Sequence, residues 1–304
     1  MTSRSSSVAP DNALANIALI TLAFFLFGLT SAIAKIVLPT YSVGQMMLIR
    51  SVVALILLSP FIWREGASSA FRTMPRPGLQ LARVTISVVE VAMFFWAVSY
   101  LQIADTVAIY LSGPLFVTLW STLFLGERVG WRRWTAIVAG FAGVLIALRP
   151  SAATISAPAL IAVVGTMLYA VGVLLTRTLR GTADIVLSAN QMLAAALLGA
   201  VWCALPGGWT NPSMHDLGIL VFIGVPTAIG YVCINRALKL APASVVAPYQ
   251  YTLIIWAALF GYLFFGDVPQ ITTAIGAAII IGAGLYITFR ERALGKQPAP
   301  VEPV

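Results

Sequence analysis

Long apolar runs separated by short polar connections make up most of the chain. Each run is close to the 20 residues that an α-helix needs to cross the hydrocarbon core of a bilayer. The connections contain helix-breaking residues, such as Pro39, Pro150 and the stretch 206–216. The pattern therefore predicts ten membrane-spanning helices, which we number spans 1 to 10, over residues 14–38, 43–63, 79–101, 104–125, 131–149, 156–176, 183–205, 216–237, 243–265 and 270–290.

The composition is that of an integral membrane protein. Of the 304 residues, 60% are hydrophobic and 9% are charged, and the mean hydropathy is +0.95. Soluble domains carry charge on roughly a quarter of their residues. Because the apolar runs continue along the whole length, no soluble domain is left over. The expected fold class is all-α, with ten transmembrane helices.

The distribution of basic residues predicts the orientation, since Lys and Arg accumulate in cytoplasmic loops. With the N-terminus inside, most of the 18 basic residues fall in inner loops or tails, and Arg149 falls outside. Lys35, Arg50 and Arg83 lie within spans. The bias predicts that both termini are cytoplasmic in a bacterial inner membrane. It also explains the net charge of +8 without a nucleic-acid partner.

Residues 99–127 and residues 239–267 resemble each other once one extra residue is allowed in the second copy. The matched positions are Ala104 with Ala243, Ala108 with Ala247, Tyr110 with Tyr249, and Gly126-Glu127 with Gly266-Asp267. Five spans separate the copies, and an odd number places them in opposite orientations. This predicts two inverted five-helix repeats, a feature typical of secondary transporters. The expected division is a tail at 1–13, repeats at 14–150 and 151–290, and a tail at 291–304.

The two matched segments, together with a glycine-rich last span in each repeat, resemble the drug/metabolite transporter superfamily, and within it the EamA-type ten-helix carriers. The resemblance covers nearly all of residues 14–290, with Phe27-Gly28 standing where the family has Trp-Gly. It implies a pseudosymmetric carrier, often an exporter of amino acids or related metabolites. Some similar sequences import riboflavin or S-adenosylmethionine. The glycines, which would allow close helix packing or support a homodimer, are Gly140, Gly143, Gly276, Gly282 and Gly284.

Glu90 lies near the middle of span 3, where an ionised side chain costs on the order of 3 kcal/mol. It is therefore expected to face a partner or a water-filled cavity. At 1.5 Å per residue, Arg50 on span 2 lies within side-chain reach. One hypothesis is that Arg50 and Glu90 pair across the cavity and contact substrate or respond to protons. The alternative is a static ion pair that joins spans 2 and 3.

Other polar and aromatic residues within the spans are candidates for lining the cavity, although each also fits ordinary helix packing. Tyr110 and Tyr249 correspond in the repeat, and Gln191 matches Arg50. The remaining substrate-binding candidates are Trp96, Tyr169, Asn190 and Gln250. Tyr251 adds a further polar group, and Tyr231 and Trp256 are expected to form apolar walls.

Four charged residues near span ends are expected to have structural roles. Lys35 and Arg83 can extend along their helices to the lipid headgroups. Glu127 and Asp267 occupy equivalent ends of spans 4 and 9 and are expected to terminate or orient those helices.

Caps and breaks are also predicted. Asp105 and Ser244 are expected N-caps of spans 4 and 9. Pro114, Pro226 and Pro248 are expected to interrupt spans 4, 8 and 9, because proline removes a backbone hydrogen bond.

The expected function is secondary transport of small metabolites by alternating access, with amino-acid export first and uptake of riboflavin or S-adenosylmethionine as the alternative. A membrane-embedded enzyme would need clustered acids, histidines or cysteines. The chain has His215 in a loop, and its two cysteines, Cys203 and Cys233, lie in apolar runs. A channel would need a continuous polar pore. No metal or cofactor is expected, and the expected partners are membrane lipid and a small-molecule substrate.

Overall fold

A computed structural model describes residues 10–64, 76–125, 131–148, 156–179, 184–240 and 247–293. Every regular element in this part of the chain is a helix. The ten spans are Pro10–Val37, Val43–Arg64, Pro77–Tyr100, Ile103–Tyr110 with Gly113–Leu125, Trp131–Leu148, Ala157–Thr178, Asp184–Cys203, Met214–Leu240, Ala247–Thr252 with Leu253–Phe265, and Ile271–Ala293. Seven of them contain a stretch long and apolar enough to cross a membrane, and spans 5, 9 and 10 contain shorter apolar stretches. The predicted all-helical membrane fold is confirmed.

Span 4 is broken near its middle. Its first helix ends at Tyr110 and its second begins at Gly113, directly before Pro114. Proline lacks an N–H but fits the first turn of a helix, so the chain restarts here more easily than it continues. A Cβ on Gly113 would lie 2.9 Å from Cδ1 of Tyr169 on span 6, which leaves no room for a side chain at the restart.

The other two prolines behave differently from each other. Pro248 lies in a 3₁₀ turn, Ala247–Thr252, that precedes the α-helix of span 9. Pro226 lies inside the continuous helix of span 8, which therefore shows no interruption there, contrary to the sequence prediction.

The packing of the spans has the symmetry of two related repeats. Spans 2 and 7 pack together, as do spans 5 and 10, and spans 4 and 9. Span 1 packs against spans 8 and 9, and span 6 packs against spans 3 and 4. Exchanging spans 1–5 with spans 6–10 converts each of these pairings either into itself or into another of the set. The two repeats therefore interlock around an axis that passes between spans 2 and 7.

Glycines allow close backbone contact at this interface. A Cβ on Gly143 of span 5 would lie 2.9 Å from the Gly276 oxygen, and one on Gly276 would lie 2.6 Å from the Gly143 oxygen. At spans 2 and 7, a Cβ on Gly199 would lie 2.6 Å from the Gly44 oxygen. Glycines in spans 5 and 10 do allow tight backbone approach, as the sequence indicated, but the sequence did not predict that these two spans pack against each other. Among the described residues, no atom lies near the Cβ position of Gly282.

Lys35 does not extend to the headgroups. Its Nζ donates hydrogen bonds to the Leu101 carbonyl oxygen at 3.0 Å and to Oδ2 of Asp267 at 3.1 Å. The sequence prediction was wrong because the counter-charge comes from the turn between spans 9 and 10, which hydropathy does not place beside span 1.

Arg83 is also turned inward, with 3% of its surface exposed. Its Nη2 donates to the Leu187 carbonyl oxygen of span 7 at 3.1 Å, and its Nε donates to Oε1 of Gln80 at 3.3 Å. The expectation of a headgroup contact was wrong here too, because these acceptors satisfy the guanidinium inside the protein.

Asp105 does not cap span 4. The N-cap position is Gln102, and it makes no side-chain cap hydrogen bond. Oδ1 of Asp105 instead accepts a hydrogen bond from Oγ1 of Thr273 on span 10 at 2.6 Å. The other two end-of-span residues singled out from the sequence, Glu127 and Ser244, lie outside the described residues.

Candidate functional site

A polar cluster lies where spans 2, 3, 7 and 8 meet. Span 2 contributes Arg50, span 3 Glu90, span 7 Gln191 and span 8 Tyr231, and we call these four residues the central quartet. Gln191 follows Arg50 in the sequence by the same number of residues as Tyr231 follows Glu90. The quartet is therefore two equivalent pairs, one from each repeat.

Arg50 is deeply buried, with 4% of its surface exposed. Its guanidinium carbon lies 4.6 Å from the centre of the Phe95 ring, a cation–π contact. Within the described part of the chain, its Nε has no hydrogen-bond partner. Arg50 interacts electrostatically with Tyr231 and Glu90. The Nε–H of Arg50 is therefore a donor that a ligand could use.

Glu90 is partly buried and interacts electrostatically with Arg50. Among the residues that the structure describes, the two form no ion pair within 4.0 Å. The sequence placed these residues at neighbouring depths, and the structure brings them to the same cluster without direct contact. The carboxylate and the guanidinium are therefore near enough to influence each other but are not joined by a direct ion pair.

Tyr231 connects the two repeats. Its hydroxyl accepts a hydrogen bond from Nε2 of Gln191 at 3.3 Å, and its ring packs edge-on against Phe27, with centroids 5.4 Å apart. It also interacts electrostatically with Arg50, Glu90 and Arg83. From the sequence, Tyr231 was expected to form an apolar wall, and the contact of its hydroxyl was not predicted. Because Tyr231 follows Glu90 by the same number of residues as Gln191 follows Arg50, extending the repeat correspondence to span 8 would have identified it.

Tyr110 lies beside the quartet. Its hydroxyl donates to the Glu90 carbonyl oxygen at 3.4 Å, and its ring packs edge-on against Phe94, with centroids 4.9 Å apart. The hydroxyl fills the space that a Cβ on Gly165 of span 6 would need. Tyr110 therefore occupies the junction of spans 3, 4 and 6, next to Glu90.

Arg83 brings a second buried cation to the same region. It lies two helical turns from Glu90 on span 3 and interacts electrostatically with Tyr231. Its hydrogen bonds to Leu187 and Gln80 fix its guanidinium between spans 3 and 7. The inward orientation of Arg83 was not predicted from the sequence, because a basic residue near a span end normally reaches the headgroups.

The remaining candidates lie elsewhere in the bundle. Tyr249 packs with Ile20 and Ala237 of spans 1 and 8. Trp96 lies against Tyr100, with ring centroids 4.7 Å apart, near the end of span 3. Tyr169 lies against Gly113 at the break in span 4. These positions do not join the quartet.

Two of the candidates have buried or partly buried polar groups. Asn190 is partly buried next to Gln191 on span 7. Gln250 lies in the 3₁₀ turn of span 9 with its Nε2 buried. Further along span 9, Nε1 of Trp256 is buried without a hydrogen-bond partner in the described part of the chain, and the Trp256 ring packs edge-on against Phe25 at 5.1 Å. Gln250 and Trp256 therefore place two buried polar groups on span 9.

The sequence of the chain matches that of a known protein family. The profile of the EamA-like transporter family matches residues 14–149 and again residues 156–290. The chain belongs to the EamA-like transporter family. It is thus a multi-pass membrane transporter of the drug/metabolite transporter superfamily, with the family fold described above.

Curated relatives of this EamA-like chain differ in what they carry. It is 31% identical to a riboflavin transporter of Rhizobium johnstonii, over 79% of each chain. It is 24% identical to an S-adenosylmethionine uptake transporter of Rickettsia bellii, over 90% of this chain and 94% of that one. It is 26% identical to a pseudopaline exporter of Pseudomonas aeruginosa, over 90% and 96%. The names include both uptake and export.

Proposed function

We propose that this protein is a secondary carrier of the bacterial inner membrane that takes up a small heteroaromatic metabolite, with riboflavin as the first candidate. The substrate would bind at the central quartet and pass between the repeats by alternating access. The observation that carries the proposal is the buried Arg50, whose Nε has no hydrogen-bond partner among the described residues and whose neighbouring carboxylate, Glu90, lies beyond direct contact.

The chemistry of the quartet suits a planar, hydrogen-bonding solute. Arg50 supplies N–H donors for ring carbonyl oxygens, and Glu90 supplies an acceptor for a ring N–H or a hydroxyl group. The rings of Phe27, Phe95 and Tyr231 surround these groups and offer apolar faces. Riboflavin carries an aromatic ring system with both kinds of hydrogen-bonding group and a polyhydroxyl chain. The 31% identity to a riboflavin transporter supports the same choice.

Amino-acid export, the first expectation from the sequence, becomes the second candidate. The comparisons do not favour it, because the relatives reported above are named for riboflavin, S-adenosylmethionine and pseudopaline. One observation supports this second candidate. The Arg50 guanidinium and the Glu90 carboxylate lie in one cluster without direct contact, and together they would match the carboxylate and ammonium groups of a zwitterion.

Purified full-length protein in liposomes tests the proposal directly. Labelled riboflavin and a panel of labelled amino acids would be supplied outside, with and without an inward proton gradient. We expect saturable riboflavin entry that Arg50→Ala reduces at least about tenfold, because a charge-assisted contact is lost. Tyr262→Phe, on the exposed side of span 9, is the matched control and should transport normally.

The same assay separates the alternatives. Movement of amino acids without riboflavin would replace the first candidate with the second. Movement of neither under any gradient would contradict both substrate proposals. If Glu90 couples transport to protons, Glu90→Gln should remove the response to the proton gradient while retaining riboflavin exchange.

A further inference from the structure

The contacts of Lys35 join three separate parts of the bundle. Lys35 lies near the end of span 1, Leu101 directly follows span 3, and Asp267 follows span 9. The two hydrogen bonds of its Nζ are 3.0 and 3.1 Å long, and the ammonium also lies 5.0 Å from the centre of the Phe265 ring. The Lys35 side chain is 18% exposed and that of Asp267 24%. Because water is partly excluded, the attraction between the two charges is screened less than in a fully exposed pair.

These contacts lie on what we call the predicted outer face, where residues 38–42, 101–102, 204–213 and 266–270 join the spans. Other hydrogen bonds cross the same face. The side-chain amide of Gln45 exchanges two hydrogen bonds with the Thr210 backbone, at 2.7 and 2.9 Å. Ser42 donates to the Gly208 carbonyl oxygen at 2.6 Å, and Tyr41 donates to Asp216 at 2.7 Å. The structure is therefore tied together on this face.

One face of span 1 leads from this region to the central quartet. Phe27, Ser31 and Lys35 are spaced four residues apart and share that face. Phe27 contacts the Tyr231 ring, and Ser31, which is 4% exposed, lies between Phe27 and Lys35. At 1.5 Å per residue, Lys35 lies about 12 Å from Phe27 along the axis. Lys35 thus lies at the outer end of the face of span 1 that contacts the quartet through Phe27.

Among the contacts of this face, Lys35 crosses a boundary between two groups of spans. Most of the packing of span 1 is against spans 8 and 9, which form the first group with it, and most of the packing of span 3 is against span 6, which forms the second group with it; the direct contact between spans 1 and 3 is small. The bond from Lys35 to Leu101 joins the first group to the second. The Tyr41–Asp216 bond, by contrast, links the connection after span 1 to span 8 and stays within the first group. Separation of the groups would break the Lys35 bond and leave the Tyr41 bond intact.

We propose that Lys35, held by Asp267 and the Leu101 carbonyl, is the outer gate of this carrier. The contact keeps spans 1 and 3 together above the quartet, and it breaks when Arg50 and Glu90 become accessible from outside. The inference rests on the carrier function proposed above, but the experiment that follows needs no substrate.

Labelling of a cysteine below the gate measures its opening. Ser31→Cys would be introduced into full-length protein that carries Cys203→Ser and Cys233→Ser, and intact cells would be treated with a membrane-impermeant maleimide. Adding Lys35→Met should accelerate labelling at least about tenfold, the shift expected when a charge-assisted hydrogen bond no longer holds the closed state. Lys35→Arg, which can still pair with Asp267, should remain close to the starting rate.

Three controls make the result specific. Tyr41→Phe removes a hydrogen bond on the same face but within one group of spans, and it should leave labelling unchanged. Asp267→Lys, which removes the carboxylate that holds the Lys35 ammonium beside the Leu101 carbonyl, should accelerate labelling. If Lys35→Met does not fold, as judged by gel filtration, Asp267→Asn tests the same pair and should give an intermediate acceleration.

Two outcomes would overturn the gate: labelling of folded Lys35→Met at the starting rate, or acceleration by Tyr41→Phe as large as that by Lys35→Met. Inside-out vesicles provide the reference for the opposite face, where Lys35→Met should not increase labelling. Gate-dependent labelling together with an absence of riboflavin transport would contradict the substrate and leave the gate in place.

Discussion

At the scale of single residues, Arg50 is the most constrained group of the site. A buried charged donor without a partner is costly, by about 1–3 kcal/mol or more. The Phe95 ring below its guanidinium offsets part of this cost, because cation–π contacts contribute about 0.5–2 kcal/mol. The contact with Phe95 does not supply a hydrogen-bond acceptor for Nε. A substrate oxygen placed between Arg50 and Glu90 would supply it, and Arg50 is therefore the residue at which binding should gain most.

Replacing Arg50 by lysine tests whether the planar guanidinium matters. Arg50→Lys keeps the positive charge but loses the stacked, forked arrangement of donors. We expect the KM for the substrate to rise about tenfold, with a smaller change in maximal rate, measured as initial uptake into liposomes. An unchanged KM would show that a point charge suffices and would remove the argument from hydrogen-bond geometry.

Tyr231 provides a second test at this scale. Tyr231→Phe removes the hydroxyl that accepts from Gln191 but keeps the ring on Phe27. One hydrogen bond is worth about 1 kcal/mol, so we expect transport to fall about fivefold. Gln191→Ala should add little to Tyr231→Phe, because both variants remove the same interaction. Fully additive losses in this double-mutant cycle would show that the two residues act separately.

The residues of the quartet were only partly predictable. The depth of Glu90 and Arg50 along their helices was enough to place them near each other, and repeat matching added Gln191. Tyr231 was missed as a polar contributor because an aromatic residue in an apolar span has no distinctive local signal. The partner of Lys35 could not be predicted, because it lies 232 positions away in the sequence, on a turn that hydropathy does not locate in space.

At the scale of helices, close contact between spans 5 and 10 depends on two glycines. Their backbones approach so closely that a side chain on either Gly143 or Gly276 would meet the other's carbonyl oxygen. In a membrane, where lipid is as apolar as leucine, such van der Waals packing is a main source of helix association. The sequence indicated that small residues in both spans permit close backbone approach, but it did not predict that spans 5 and 10 pack against each other.

The contact gives a matched pair of variants. Gly276→Ala would place a Cβ 2.6 Å from the Gly143 oxygen and 2.7 Å from Ala147 Cβ, so one helix must shift. We expect destabilisation by about 1–3 kcal/mol, seen as a lower midpoint of thermal unfolding in detergent. Gly282→Ala, six residues away where the Cβ position is open, should leave the midpoint unchanged. Equal effects of both substitutions would contradict this account.

The prolines show that the sequence pattern alone does not decide where a helix is interrupted. Pro114 and Pro226 look alike in the sequence, yet span 4 restarts at the first and span 8 continues through the second. A helix can tolerate the lost hydrogen bond when its surroundings compensate, and that depends on neighbours from the other repeat. Hydropathy was therefore enough to predict ten spans, and proline marked the break in span 4 correctly but wrongly predicted one in span 8.

At the scale of the whole molecule, the predicted orientation of the protein in the membrane rests on the distribution of its basic residues. Basic residues cluster in the connections between spans 2 and 3, 4 and 5, and 6 and 7, and beyond span 10. Positive residues near span ends are retained in the cytoplasm. The Lys35 gate lies on the opposite face, so this prediction also decides which side the gate controls.

Reporter fusions test the orientation. A fluorescent protein fused after Val304 should fluoresce, because it would fold in the cytoplasm, and alkaline phosphatase inserted after Trp209 should be active, because it would lie outside. The reverse pattern would invert the carrier and assign the Lys35 gate to the cytoplasmic side. A fluorescent-protein fusion after Met1 and a phosphatase fusion after Gly207 should give the same results as these two fusions.

The interlocking of the repeats has a consequence for how the protein is made. Span 1 is among the first segments to leave the ribosome, but its packing partners are spans 8 and 9, which are synthesised last or nearly so. At about 5–20 residues per second, roughly ten seconds or more pass between them. During that time Lys35 lacks its carboxylate partner Asp267, and span 1 lacks the spans that supply most of its packing. Membrane insertion of this protein therefore requires that unpaired charges be sheltered until the second repeat arrives.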